Sequence, residues 1–220
     1  MKSFTVTTLG CKVNRYESEA ISEQLADLGW QLTRKEGDAD LCIINTCTVT
    51  KKAATQARQA VRKVIRSHPH ALVVVTGCYA QVAPQVFRNI PGVHFVAGNT
   101  FKDQIVQLAE RHLKDRAALT LVDDISESRL FQDMPITRFG SRTRPFVKIQ
   151  DGCDAFCAYC IIPHARGRSR SLAPETVIKR IRDLKEQGYA EVVLCGINLG
   201  RYGLYLDPPT SLSDLIDEFA

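Results

Sequence analysis

"LCIINTCTVTKKAATQARQAVRKVIRSHPHALVVVTGC", Leu41 to Cys78, decides the fold. It opens on a short apolar run, Leu41 to Asn45, of strand length. From Lys51 it continues with helical periodicity, and at Ala71 to Gly77 it returns to a run of β-branched residues. Strand, helix and strand in this order make the crossover unit of a parallel sheet. Each strand is followed at once by a cysteine, Cys47 and Cys78.

The same rhythm extends in both directions. "SFTVTTL", Ser3 to Leu9, is a β-branched strand, and "YESEAISEQLADLG", Tyr16 to Gly29, places Ala20, Ile21, Leu25 and Leu28 on one helical face before a glycine stop. Beyond Cys78 the pattern predicts a short helix near Pro84 to Asn89, a strand around His94 to Ala97 and a helix from Phe101 to His112. Residues 1–122 therefore read as an α/β domain, a mainly parallel sheet with flanking helices. Residues 123–144 read as a connector without core periodicity. In residues 145–220, "PFVKIQ" resumes a strand, "PETVIKRIRDLKEQG" supplies a crossover helix and "EVVLCGINLGRYG" a second strand ending in glycines.

With 220 residues, 45% of them hydrophobic, the chain holds one complete domain and part of a second. A net charge of +5 is too small to name a partner. Nothing resembles a signal peptide, and no apolar stretch approaches the ~18 residues of a membrane helix, so the expected location is the cytoplasm and no membrane partner is expected. In that reducing compartment eight cysteines point to metal or redox chemistry rather than disulfides.

Cys11, Cys47 and Cys78 each follow a strand, at intervals of 36 and 31 residues, about one strand–helix unit each. Parallel strands end on one edge, so these three thiols can converge there on a shared metal. Cys42 lies inside its strand, where a core role suffices. Cys153, Cys157 and Cys160 are spaced C-x3-C-x2-C in the loop after "PFVKIQ", which suits an iron-sulfur cluster or zinc. A closed zinc site needs a fourth ligand, for which His164 is the nearby candidate; a 4Fe-4S cluster on three cysteines leaves one iron open. His68, His70, His94 and His112 show no ligand spacing, and Trp30 reads as a packing residue.

The C-x3-C-x2-C loop, with the aromatic Tyr159 before its last cysteine, resembles the signature of the radical S-adenosylmethionine enzymes. Together with "TLGCKVNRYESEA", "INTCTVTKKA" and "TGCYAQ" upstream, the chain resembles the methylthiotransferases over essentially its whole length. "CKVNRYESE", "NTCTVT" and "IIPHARGRSRS" are most similar to the branch that modifies threonylcarbamoyladenosine in tRNA. The resemblance implies an amino-terminal iron-sulfur domain followed by the first βα units of a partial radical S-adenosylmethionine barrel. It implies two 4Fe-4S clusters, one on Cys11, Cys47 and Cys78 and the other on Cys153, Cys157 and Cys160, with S-adenosyl-L-methionine as cofactor and an electron donor such as flavodoxin or ferredoxin.

The cofactor carries the difficult step, so no side chain is named as acid or base. Tyr159, Gly196 and Asn198 are the cofactor-binding candidates; the acidic tripeptide common in radical enzymes is replaced by Cys195, Gly196 and Ile197, and Cys195 reads as packing. Arg166, Arg168 and Arg170 are candidates for contact with tRNA phosphates, whereas the basic run Lys51 to Arg66 reads as a solvated helix face.

An eight-stranded barrel takes about 250 residues, and the 75 from Phe146 onward hold two strands and stop within a helix at Ala220. The expectation is a piece of a longer enzyme, inactive alone. Two other readings stand beside it: a methylthiotransferase of isopentenyladenosine in tRNA or of a ribosomal-protein aspartate, and a non-catalytic metal-cluster module that binds RNA. Oligomeric state is not legible.

Overall fold

The computed structural model describes residues 2–33, 35, 37–113, 118–139 and 143–219. In chain order the first region runs β1 (Ser3–Thr8), α1 (Lys12–Asp27), β2 (Gln31–Leu32), β3 (Leu41–Thr46), α2 (Lys51–Ser67), β4 (Leu72–Gly77), α3 (Cys78–Val82), α4 (Pro84–Arg88), β5 (Phe95–Ala97), α5 (Ile105–His112) and β6 (Leu119–Leu121). The six strands form one wholly parallel sheet in the order β2-β1-β3-β4-β5-β6.

Its centre follows from alternation. Leu41, Ile43, Leu72, Val74, Phe95 and Ala97 face the layer of α1 and α5, while Cys42, Ile44, Val73, Val75 and Val96 face α2 and α4. Covering both faces is what makes these strands near-continuous apolar runs.

Three expectations change. The edge strands β2 and β6 are absent from the sequence reading because they are two and three residues long and largely uncovered. The helix read from Phe101 is a 3-10 turn, Asn99–Gln104, followed by α5. The helix read from Tyr16 begins already at Lys12, so Cys11 is its N-cap.

The second region comprises β7 (Phe146–Lys148), β8 (Gln150–Asp151), α6 (Ile162–Arg166), β9 (Arg170–Ser171), α7 (Pro174–Glu186), β10 (Val193–Cys195) and α8 (Leu212–Asp217). β7 and β10 pair in parallel, with α7 crossing between them, and β8 pairs antiparallel with β9. This is a βαβ unit. A Ser211/Asp214 capping box starts α8, which closes at Asp217 rather than running to the chain end; Ala220 lies outside the described residues.

One apolar cluster passes through both regions. Ala20, Ile21 and Leu25 of α1 share it with Phe146, Ile149, Val177 and Leu184. The intervening segment, expected to lack a core pattern, buries Ile125, Met134, Ile136 and Phe139. Its Thr137 N–H donates to the Glu23 carboxylate on α1 at 3.0 Å. Residues 140–142 of this connector lie outside the described residues. Among the described residues no helix is long and apolar enough to cross a membrane.

Candidate functional site

The sheet order changes direction between β1 and β3, and the crevice at the carboxyl ends of such strands is where parallel sheets take ligands. Cys11 caps α1, Cys47 directly follows β3, and Cys78 opens α3 directly after β4. The three line one cavity of about 440 Å³, whose wall also includes Ile162, Arg166 and Ile197 of the second region.

Two glycines permit this closeness. A Cβ on Gly10, at φ +100°, would lie 2.8 Å from Cys47 Cβ and 2.9 Å from its Sγ; one on Gly77, at φ +96°, would lie 2.4 Å from the Thr46 carbonyl oxygen. Asn14 ties the turn to the neighbouring strand end, its Nδ2 donating to the carbonyls of Leu9 at 2.7 Å and Thr46 at 3.0 Å. Cys11 sits at the N-terminus of the sixteen-residue α1. Burial pushes the Cys47 thiol up, so a metal there must displace its proton.

All eight cysteines are free. Among the described residues no three His, Cys, Asp or Glu side chains converge as ligands of a single ion do. An iron-sulfur cubane spaces its thiolates, each on its own iron. The donor set of thiols alone, around a cavity of this size, fits such a cluster with one position left to another ligand.

The second group sits on one loop. A Cβ on Gly152, at φ +72°, would lie 1.9 Å from the Arg168 carbonyl oxygen, and the Cys153 N–H donates to Gly167 at 2.9 Å. Cys153 and Cys160 are half-buried and Cys157 exposed. Phe156 holds φ +46°, the one positive φ of a non-glycine residue among those described, and the Cys160 N–H returns to the Cys157 carbonyl at 2.9 Å. The loop is thus held at its root and open at its tip. Three soft thiols with an open side suit a cluster that keeps an iron available.

The cofactor candidates are placed differently from one another. Asn198 Nδ2 lies 3.8 Å from Cys153 Sγ, beside the loop. Gly196 is needed within the chain itself: a Cβ there would lie 2.9 Å from Gln150 Cβ. Gln150 Oε1 accepts the N–H groups of Ile197 at 2.8 Å and Asn198 at 2.7 Å, and so fixes this turn. Tyr159 is 92% exposed and stands in solvent. His164 is exposed and meets the ring of Phe156 edge-on. Cys42 and Cys195 are buried, and burial pushes both thiols to about 12.

Two of the three arginines expected at phosphates are buried, and this corrects the expectation. Arg166 is 1% exposed, its Nη1 donating to Glu17 at 2.9 Å and Asp151 at 2.8 Å and its Nη2 to Asn14. Arg170 is buried and donates to the Arg166 carbonyl at 2.7 Å. A guanidinium committed to interior acceptors cannot reach a polyanion outside. Arg168 is exposed, and with Arg129, Asp154 and Tyr205 it lines a recess of about 270 Å³ beside the second loop. On α2, Lys51, Lys52, Arg62, Lys63 and Arg66 are exposed, and no ion pair ties them among the described residues.

Sequence reasoning missed Glu17, Lys102, Lys148, Asp151 and Gln150, all buried. The signal was present for Glu17, which falls on the stripe of Val13, Ala20 and Ile21. It was present too in the dipeptide Gly-Cys, which occurs at 10–11, 77–78 and 152–153. Burial by itself would raise the carboxyls of Glu17 and Asp151, but the cations around them, Arg166 foremost, hold both well below the usual carboxylate range.

Residues 3–98 match the uncharacterized protein family UPF0004 and residues 147–202 the radical SAM superfamily. The chain is 41% identical over 203 residues to a threonylcarbamoyladenosine tRNA methylthiotransferase MtaB of Bacillus subtilis, covering 92% of this chain and 45% of that protein. To the protein of that name from Aquifex aeolicus it is 37% identical, covering 89% and 48%. A tRNA-2-methylthio-N(6)-dimethylallyladenosine synthase of Halalkalibacterium halodurans is 33% identical, covering 99% and 41%. The chain thus spans about half the length of these relatives.

Among solved structures, the radical S-adenosylmethionine methyltransferase TsrM from Kitasatospora setae, with cobalamin and a 4Fe-4S cluster bound, superposes with a TM-score of 0.57 at 14% identity, over 99% of this chain and 51% of that one. That likeness concerns the fold alone. One family match thus lies over the three-cysteine sheet and another, to the radical SAM superfamily, over the three-cysteine loop, and the alignments with relatives named as tRNA methylthiotransferases run through both.

Proposed function

We propose that this chain is the cluster-bearing part of a cytoplasmic enzyme that adds a methylthio group to C2 of the adenine in N6-threonylcarbamoyladenosine of tRNA, next to the anticodon. The observation that carries the reading is the grouping of six thiols three and three, with Ile162 and Ile197, flanking the second group, forming part of the wall around the first. Cys11, Cys47 and Cys78 hold one 4Fe-4S cluster, and Cys153, Cys157 and Cys160 the other. Bound there, the clusters and S-adenosyl-L-methionine supply the radical chemistry and the sulfur that an unactivated aromatic C–H requires.

The chain's own residues position these groups. Gln150 fixes the turn that presents Asn198 to Cys153. Apolar Ile162 and Ile197 keep water from the space they bound. The exposed Arg129 and Arg168 offer a phosphate contact at the edge of the second loop. A flavodoxin or ferredoxin is the electron donor.

Threonylcarbamoyladenosine is favoured over dimethylallyladenosine by the higher identity to relatives named for it, 41% against 33%. Anaerobic reconstitution tests the metal content: about eight irons per chain are expected, falling to about four when Cys11 or Cys157 becomes alanine. Stoichiometric zinc, or iron unchanged by either substitution, overturns the reading. Mass spectrometry of tRNA nucleosides from cells lacking and regaining the full-length gene tests the substrate. The methylthio group is expected to vanish from threonylcarbamoyladenosine and to stay on isopentenyladenosine derivatives.

A further inference from the structure

Between the two cysteine groups lies an ionic network that the chemistry above does not use. Glu17 of α1, Lys102 of the 3-10 turn before α5, Lys148 of β7, Asp151 of β8, Arg166 of α6 and Arg170 of β9 are all buried, none more than 8% exposed. Lys102 pairs with Glu17; Lys148 lies 3.3 Å from both Glu17 and Asp151; Arg166 bridges the same two carboxylates; and Arg170 stands 3.9 Å from Asp151. Among the described residues the ion pairs of these four cations end on two carboxylates. The interior therefore gathers four basic side chains around two carboxylates.

An uncompensated charge away from water is costly, and such groups persist where a partner of opposite sign is at hand. Nε of Arg166 and Nε of Arg170 are buried without a hydrogen-bond partner. Arg166 also forms part of the wall of the cavity that Cys11, Cys47 and Cys78 line. Thiolates holding a cluster in that cavity would place negative charge beside Arg166.

We infer that this buried network is the electrostatic counterpart of an anionic centre on Cys11, Cys47 and Cys78, with Arg166 as the positioning residue, and that its basic side chains make that centre easier to reduce. The inference rests on the reading that these three cysteines hold an iron-sulfur cluster. Because the network draws on α1 and on β7, β8, α6 and β9, it couples that centre to the second region as well.

The test uses the full chain with Cys153, Cys157 and Cys160 replaced by alanine, so that one centre forms, reconstituted with ferrous iron and sulfide without oxygen. Iron is counted first, and the centre is then reduced by one electron from dithionite while its paramagnetic signal is followed. Lys102→Met and Glu17→Gln both disrupt the network, so lost packing alone moves the midpoint potential in one direction for both. Electrostatic tuning moves it in opposite directions: lower for Lys102→Met, higher for Glu17→Gln. Arg166→Lys is expected to stay near the parent and Arg166→Met to fall with Lys102→Met.

Lys148→Met and Asp151→Asn repeat the sign test from the second region should the first pair fail to fold. Shifts of one sign, or none, overturn the inference while leaving the cluster assignment intact. A parent that takes up no iron on the three remaining cysteines overturns the assignment and the inference with it.

Discussion

The two cysteine groups solve one problem in opposite ways. Cys11, Cys47 and Cys78 are spread over 68 positions and brought together by a sheet, on helix caps and strand ends locked by Gly10, Gly77 and Asn14. Cys153, Cys157 and Cys160 lie within eight residues of one loop, fixed at Gly152 and exposed at Cys157. Scattered thiols need a complete fold before they meet; local thiols need a root and a free tip. The first arrangement depends on the whole sheet, the second on a single loop.

The largest effect comes from breaking what the two groups share. Glu17→Ala leaves Lys102, Lys148 and Arg166 short of a carboxylate in the interior and is expected to cost about 3–5 kcal/mol. Urea unfolding of the reconstituted chain measures it, and a loss below about 1 kcal/mol contradicts the geometry.

The next predictions separate the groups. Gly77→Ala and Gly152→Ala each force a side chain onto a positive φ and into a carbonyl oxygen, at 2.4 Å and 1.9 Å. Each is expected to cost about 3 kcal/mol. Gly77→Ala should lose the iron of the first group and keep that of the second, and Gly152→Ala the reverse. Equal loss from both sites in both variants would mean that the two groups assemble as one unit.

Acid probes the network more gently. Glu17 and Asp151 both have pKa values lowered below 4.5 and 3.8, the values of the free groups. Their contribution is therefore fully present above that range and is lost as the pH falls through it toward the lowered values. The urea midpoint should hold steady from about pH 7 to about pH 5 and decline below, with a smaller decline in Glu17→Gln. The smallest effect is expected at Arg168, which is exposed: Arg168→Gln should leave stability within about 0.5 kcal/mol. It should also flatten the salt dependence of tRNA binding by about 0.7 in the logarithmic slope. The same slope in both proteins removes Arg168 from the RNA contact.

Much of this was legible before any coordinates. The alternation of apolar strands with helices from Ser3 to His112 gave the parallel sheet, because strands covered on both faces must be apolar throughout. Strand ends in such a sheet share an edge, so three cysteines at equivalent positions could be grouped. The buried charges were not legible. Arg166, Lys148 and Asp151 lie in stretches whose burial depends on a partner element far away in sequence, and charge normally signals solvent. The connector hid Met134, Ile136 and Phe139 for a related reason: irregular backbone buries residues without a repeat that a pattern can detect.

Helix α1 caps with Cys11, packs Ile21 and Leu25 into the common core, turns Glu17 toward β7 and α6, and receives the connector at Glu23. Neither neighbour of this helix is optional, since each covers a different stripe of one rod. The two halves are consequently poor cassettes for exchange between relatives: a chimera joined within the connector inherits a helix tailored to a lost partner, and only grafts that carry α1 together with both of its linings should remain folded.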